Sequence, residues 1–137
     1  RDKQTIVSYD DYGNPTEIID EYGVHTAILW GYNGMYPIVK ATNMTAASLH
    51  DVLDITSNAP LAEALNSSQR SILYNLSNTL IEIYEYEPLI GMTKHYDNNG
   101  KCTTYGYDSY SRLISISDVM GNVQRYVYNM SGTNSPS

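Results

Sequence analysis

The stretch from Tyr84 to Asn129 reads YEYEPLIGMTKHYDNNGKCTT, then YGYDSYSRLISISDVMGNVQR, then YVYN. Tyr84, Tyr105 and Tyr126 stand 21 residues apart, and so do Tyr86, Tyr107 and Tyr128. Asp97 and Asp118 keep the same step, as do Gly100 and Gly121. Self-similarity at a fixed period marks a repeat architecture and takes precedence over any single motif. Within one unit, Thr103, Tyr105 and Tyr107 alternate with Thr104 and Gly106, a period of two that suits a strand. Asp108-Ser109-Tyr110-Ser111 offers a turn through the Asp side chain. Ile114 and Ile116 alternate with Ser115 and Ser117 in a second strand, and Asp118-Val119-Met120-Gly121-Asn122 turns back. Each unit is a two-strand step, and consecutive steps are expected to stack as an antiparallel meander.

Working outward, the N-terminal part carries a further copy. Tyr9, Asp10, Tyr12, Asp20 and Gly23 align with Tyr107, Asp108, Tyr110, Asp118 and Gly121, and Trp30-Gly31-Tyr32 matches Tyr105-Gly106-Tyr107. Between the copies the composition changes. All nine Gly lie at or before Gly34 or at or after Gly91, and 13 of the 14 Tyr avoid residues 41–80. That stretch reads helical. Leu49, Val52 and Leu53 form one stripe after Thr45, Leu61, Ala64 and Leu65 a second after Pro60, and Ile72, Leu73 and Leu76 a third. Each piece is too short to be stable alone in water, so the stripes are expected to pack on the sheet. The expected organisation is one domain of mainly β (α+β) class: a first β segment over 5–40, a helical insertion over 41–80, further β segments over 81–130 and a loose tail over 131–137.

Length and composition agree with one domain. A chain of 137 residues buries about 70% of its unfolded surface. With 42% apolar and 17% charged residues it is neither a disordered acidic tail nor a coiled coil. The single Cys102 excludes an internal disulfide framework and a cysteine-based zinc site. A net charge of −7 argues against nucleic acid as the partner. No apolar run approaches the ~20 residues of a membrane-spanning helix, so no membrane insertion is expected. The chain begins at Arg1 and reads as a mature or excised piece of something larger.

The pattern resembles the YD repeat of Rhs-type proteins. The residues that carry the resemblance are Tyr107-Asp108-Ser109-Tyr110-Ser111-Arg112-Leu113, Asp118-x-x-Gly121-Asn122 and Tyr126-x-Tyr128, with Tyr9-Asp10-Asp11-Tyr12-Gly13-Asn14-Pro15 and Asp20-x-x-Gly23 in the first copy. The family usually has Gly where Ser111 stands. The segments Tyr86-Glu87-Pro88-Leu89-Ile90-Gly91-Met92-Thr93 and Leu29-Trp30-Gly31-Tyr32-Asn33 resemble a bacterial secreted subgroup with a variable helical insertion. The resemblance implies a non-enzymatic structural scaffold within a larger exported or cell-surface protein, serving adhesion or glycan or protein binding. It also implies an extracellular location and neighbouring repeats as partners. A segment of a toxin-enclosing shell is the alternative, and a polysaccharide-acting enzyme a remote one. Open strand edges in so short an array are expected to promote homo-oligomers.

The candidate binding residues are the recurring aromatics Trp30, Tyr32, Tyr84, Tyr86, Tyr105, Tyr107, Tyr126 and Tyr128. They are read either as a structural ladder across the sheet or as an aromatic platform for a ligand. No catalytic residue, cofactor or metal site is expected. His25, His50 and His95 share no ligand spacing, and Cys102 has no partner suggested by spacing. Asp10, Asp20, Asp97, Asp108 and Asp118 recur as turn residues do, whereas a catalytic pair occurs once.

Overall fold

The computed structural model describes residues 3–118 and 123–127. The expected Gly121–Asn122 turn, Tyr128 and the tail lie outside the described residues. In chain order the elements are β1 (Gln4–Tyr9), β2 (Pro15–Asp20), β3 (His25–Gly31), a 3-10 turn (Tyr32–Gly34), β4 (Tyr36–Thr42), α1 (Ala46–Val52) and α2 (Ser67–Tyr74). Then follow β5 (Leu80–Glu87), β6 (Gly91–Tyr96), β7 (Cys102–Tyr107), β8 (Leu113–Ser117) and β9 (Val123–Arg125). The fold is mainly β: one open nine-stranded sheet in which every strand pairs antiparallel with its sequence neighbour.

Four of the hairpins turn by one device. Asp10, Asp20, Asp97 and Asp108 each accept two backbone N–H groups through Oδ1, from the residues two and four positions on, at 2.8–3.0 Å. Each Asp also donates its own N–H to the carbonyl four residues on and accepts at its carbonyl from the residue three on. The geometry requires a left-handed residue at that third position, filled by Gly13 (φ 86°), Gly23 (φ 81°), Gly100 (φ 81°) and Ser111 (φ 64°). A side-chain oxygen that satisfies two donors while a left-handed residue closes the loop fixes strand register within five residues.

The core lies under β3, β4 and β5. Ala27, Ala41 and Ile81 stand opposite one another, as do Leu29, Val39 and Ile83, and all six are buried. Partners in register share a sheet face, and Leu49, Leu53, Leu65 and Leu73 of the insertion join their cluster. Each fully buried Leu or Ile contributes about 1.5–3 kcal/mol relative to exposure. Both helices start on side-chain caps: Thr45 Oγ1 accepts from the Ser48 N–H, and Asn66 and Gln69 form a reciprocal capping box.

The middle stripe departs from expectation. No helix forms over 57–65. Its backbone is held instead by the sheet: Leu61 donates to the Trp30 carbonyl, Asn33 to the Leu61 carbonyl and Asp11 to the Asn58 carbonyl, at 2.9–3.0 Å. These long-range bonds satisfy the groups a helix would have paired internally, while Leu65 still reaches the core. Beyond β5 the sheet thins, and no described residue of β6, β7, β8 or β9 is fully buried.

Candidate functional site

The recurring aromatics fall on alternate strands. Trp30 lies near the end of β3 and Tyr32 in the 3-10 turn that follows it, Tyr84 and Tyr86 on β5, and Tyr105 and Tyr107 on β7, with Tyr126 just past β9. A strand of other residues stands between each pair, so Tyr84 faces His95, and Tyr105 faces Ile116. Among the described residues of the expected set, ring contacts unite Tyr32 and Tyr86, together with Tyr36. Tyr36 and Tyr86 stack at 4.3 Å between ring centroids, and Tyr32 meets both edge to face at 5.7 and 5.9 Å. Tyr36 had a signal in the sequence: Asn33-Gly34 is a reversal dipeptide that returns the chain beside Tyr32.

Several of these polar tips are committed to the backbone. The Tyr86 N–H donates to the Tyr32 hydroxyl at 2.9 Å, and the Leu89 N–H to the Tyr36 hydroxyl at 2.8 Å. Tyr107 donates to the Met92 carbonyl at 2.7 Å, and Trp30 Nε1 to the Pro15 carbonyl at 2.7 Å. Tyr84 donates to Glu82 and stacks on the His95 ring at 4.9 Å. Burial pushes the Tyr32, Tyr86 and Tyr107 phenols up. Tyr84 rises further through burial and then the Glu82 carboxylate, and Tyr74 through burial and then Asp97.

The turn carboxylates are engaged too, each through Oδ1. Donated N–H groups, from Lys101 and Asn99 to Asp97 and from Arg112 to Asp108, hold both carboxyls below the usual range. The Arg112 guanidinium also binds Asp108 Oδ2 at 2.8 and 2.9 Å. Among the described residues, no group of three or more His, Cys, Asp or Glu side chains is placed to hold a metal ion. Among the described residues, no helix is long and apolar enough to cross a membrane. Cys102 is half-buried opposite Tyr96, and His50 lies in the last turn of α1.

His25 has a more specific setting. Its Nδ1 bonds Oε2 of Glu17, whose side chain is only 9% exposed, and Oε1 of the same carboxylate accepts the Ala46 N–H at 2.9 Å. The His25 carbonyl accepts both the Asn43 and Met44 N–H groups, at 2.6 and 3.1 Å. The imidazole lines a surface cleft of about 330 Å³ with Asn43, Met44, Thr45, Ser48 and Thr79. Sequence reasoning missed this site because it is assembled from β2, β3, the start of α1 and the approach to β5, with no local spacing to betray it. The chain matches no family model and no curated protein.

Proposed function

We propose that the chain is a non-enzymatic repeat scaffold, a YD-repeat β-hairpin meander belonging to a larger exported or cell-surface bacterial protein. The observation that carries the reading is the recurrence of one turn. Four aspartates at Asp10, Asp20, Asp97 and Asp108 bind the same two backbone donors in the same way. Oδ1 of each is committed to its own turn, and the same commitment recurs in every one of these hairpins, as a turn residue's does. Such turns are a device for adding strands in fixed register, so the repeated product is a surface of sheet. Neighbouring repeats of the parent protein are the natural partners at the outer strand β1, where Ile6, Val7 and Tyr9 are exposed. An exposed strand edge with apolar side chains is a template for a further strand.

The test is sedimentation of the isolated chain over rising concentration, beside an Ile6→Lys variant whose charge blunts the edge. The wild type is expected to associate and the variant to remain monomeric with an unchanged circular dichroism spectrum. A wild type that stays monomeric throughout, or a variant that associates equally, overturns the edge as the site of repeat addition.

A further inference from the structure

We infer that the His25 cleft is a binding site for a neutral polyhydroxylated ring, a single sugar unit of a glycan. The buried Glu17 carboxylate sets which ring nitrogen of His25 faces outward. Both Glu17 oxygens are engaged, one by the Ala46 N–H and one by His25 Nδ1. An ionised carboxylate only accepts, so Nδ1 carries the proton, and in the neutral imidazole Nε2 is left as an acceptor. The backbone that carries the ring is fixed as well, because the His25 carbonyl takes two N–H groups from the chain leading into α1. His25 is therefore a positioned acceptor with a side chain 39% exposed.

The remaining walls supply what a sugar needs. Thr45 donates its hydroxyl to Ser48 Oγ, which leaves the Ser48 hydroxyl hydrogen for another acceptor. Asn43 uses its amide nitrogen on the Asn78 carbonyl, which leaves its side-chain oxygen as an acceptor. Thr79 donates to the Ser77 carbonyl and keeps its lone pairs. The cleft thus offers three acceptors and one donor around Met44, an apolar surface suited to the C–H face of a sugar. No Lys, Arg, Asp or Glu lines it, so nothing there favours a charged ligand. At about 330 Å³ it lies at the small end of ligand pockets, which suits one ring and not a long chain. The site is independent of the scaffold reading: a chain that remains monomeric carries it equally.

The experiment is a nuclear magnetic resonance titration of the imidazole nitrogens, at a pH where the His25 Nε2 resonance of the free protein is that of an unprotonated nitrogen. The ligands are the neutral methyl glycosides of glucose, galactose and mannose, with N-trimethylated glucosamine and glucuronate as cationic and anionic counterparts. At least one neutral glycoside is expected to shift the His25 Nε2 resonance saturably and leave His50 and His95 unmoved. A Ser48→Leu variant keeps the backbone N–H that Thr45 caps, yet fills the cleft from an exposed helix position. It is expected to weaken the response at least ~10-fold, equivalent to about 1.4 kcal/mol, with an unchanged melting curve. Absence of a saturable shift with every neutral glycoside overturns the inference. So does an equal response in Ser48→Leu, or a response confined to the charged sugars.

Discussion

Gly31→Ala is the sharpest single test of how the insertion is joined to the sheet. Gly31 is buried at the end of β3 with φ −127° and ψ −171°, a conformation open to any residue, so the methyl is not penalised by backbone strain. Its cost comes from contact. A Cβ at this position would lie 2.6 Å from the Glu63 carbonyl oxygen and 2.8 and 2.9 Å from two carbons of Ile38. Ile38 is fully buried and has no room to withdraw. The Glu63 carbonyl is backbone, and its segment is tied to the sheet by the Leu61–Trp30 and Asn33–Leu61 hydrogen bonds.

Overpacking of this kind costs about 1–3 kcal/mol, and lifting the segment would forfeit two hydrogen bonds of about 1 kcal/mol each. The stiffer unfolded chain returns about 0.4–1 kcal/mol, so the expected net loss is about 2–4 kcal/mol. For a chain of this size that lowers the melting temperature by about 10 °C. Urea unfolding followed by circular dichroism measures the loss, and amide exchange at Asn33 and Leu61 locates it. Gly13→Ala is the contrast, since its added Cβ meets nothing within 4 Å and the only cost is φ at +86°, about 1–2 kcal/mol. If Gly31→Ala lies within about 0.5 kcal/mol of the wild type and both amides stay protected, the described junction is wrong.

Three further outcomes follow from the turns and the buried phenols. Asp97 and Asp108 have carboxyls held below their usual range, so the stability they contribute is complete above pH ~4 and lost as pH falls through the depressed values. Melting curves against pH should show this acid limb, flattened in an Asp97→Ala, Asp108→Ala double variant. The Tyr32, Tyr74, Tyr84 and Tyr86 phenols are raised chiefly by burial, so their contribution is complete below pH ~10 and lost as pH rises through the elevated values. Phenolate absorbance from these four should appear together with the loss of ordered dichroism, and a separate earlier rise would contradict their burial. Ser111→Gly should stabilise by about 0.5 kcal/mol, because relief of left-handed strain exceeds the added chain entropy. A lower urea midpoint would count against strain at Ser111.

What could be foreseen divides according to how far along the chain the deciding interactions reach. The aspartate turns are legible because every group in them lies within five residues: Asp108, its donors Tyr110 and Arg112, and the left-handed Ser111. The caps at Thr45 and Asn66 are local in the same sense. The stripe at Leu61, Ala64 and Leu65 had the same local credentials as those two helices. It lost to backbone partners at Trp30 and Asn33, about thirty residues away, which no window on the sequence contains. The aromatic arrangement was within reach of arithmetic. A repeat of 21 residues holds two strands, so equivalent tyrosines stand two strands apart, about 9.6 Å at the usual spacing. Aromatic rings interact at about 4.5–7 Å between centroids, so successive repeats cannot stack their tyrosines directly. Tyr32 reaches Tyr86 only because it has left β3 and sits in the 3-10 turn, with Tyr36 filling the gap between them. The Tyr32 hydroxyl ties the β3–β4 turn to β5, the Tyr36 hydroxyl ties β4 to the β5–β6 turn, and the Tyr107 hydroxyl ties β7 to β6, so these tips are spent on the scaffold. The polar cleft beside His25 owes nothing to the period, and it exists only because the insertion brings α1 against β2 and β3.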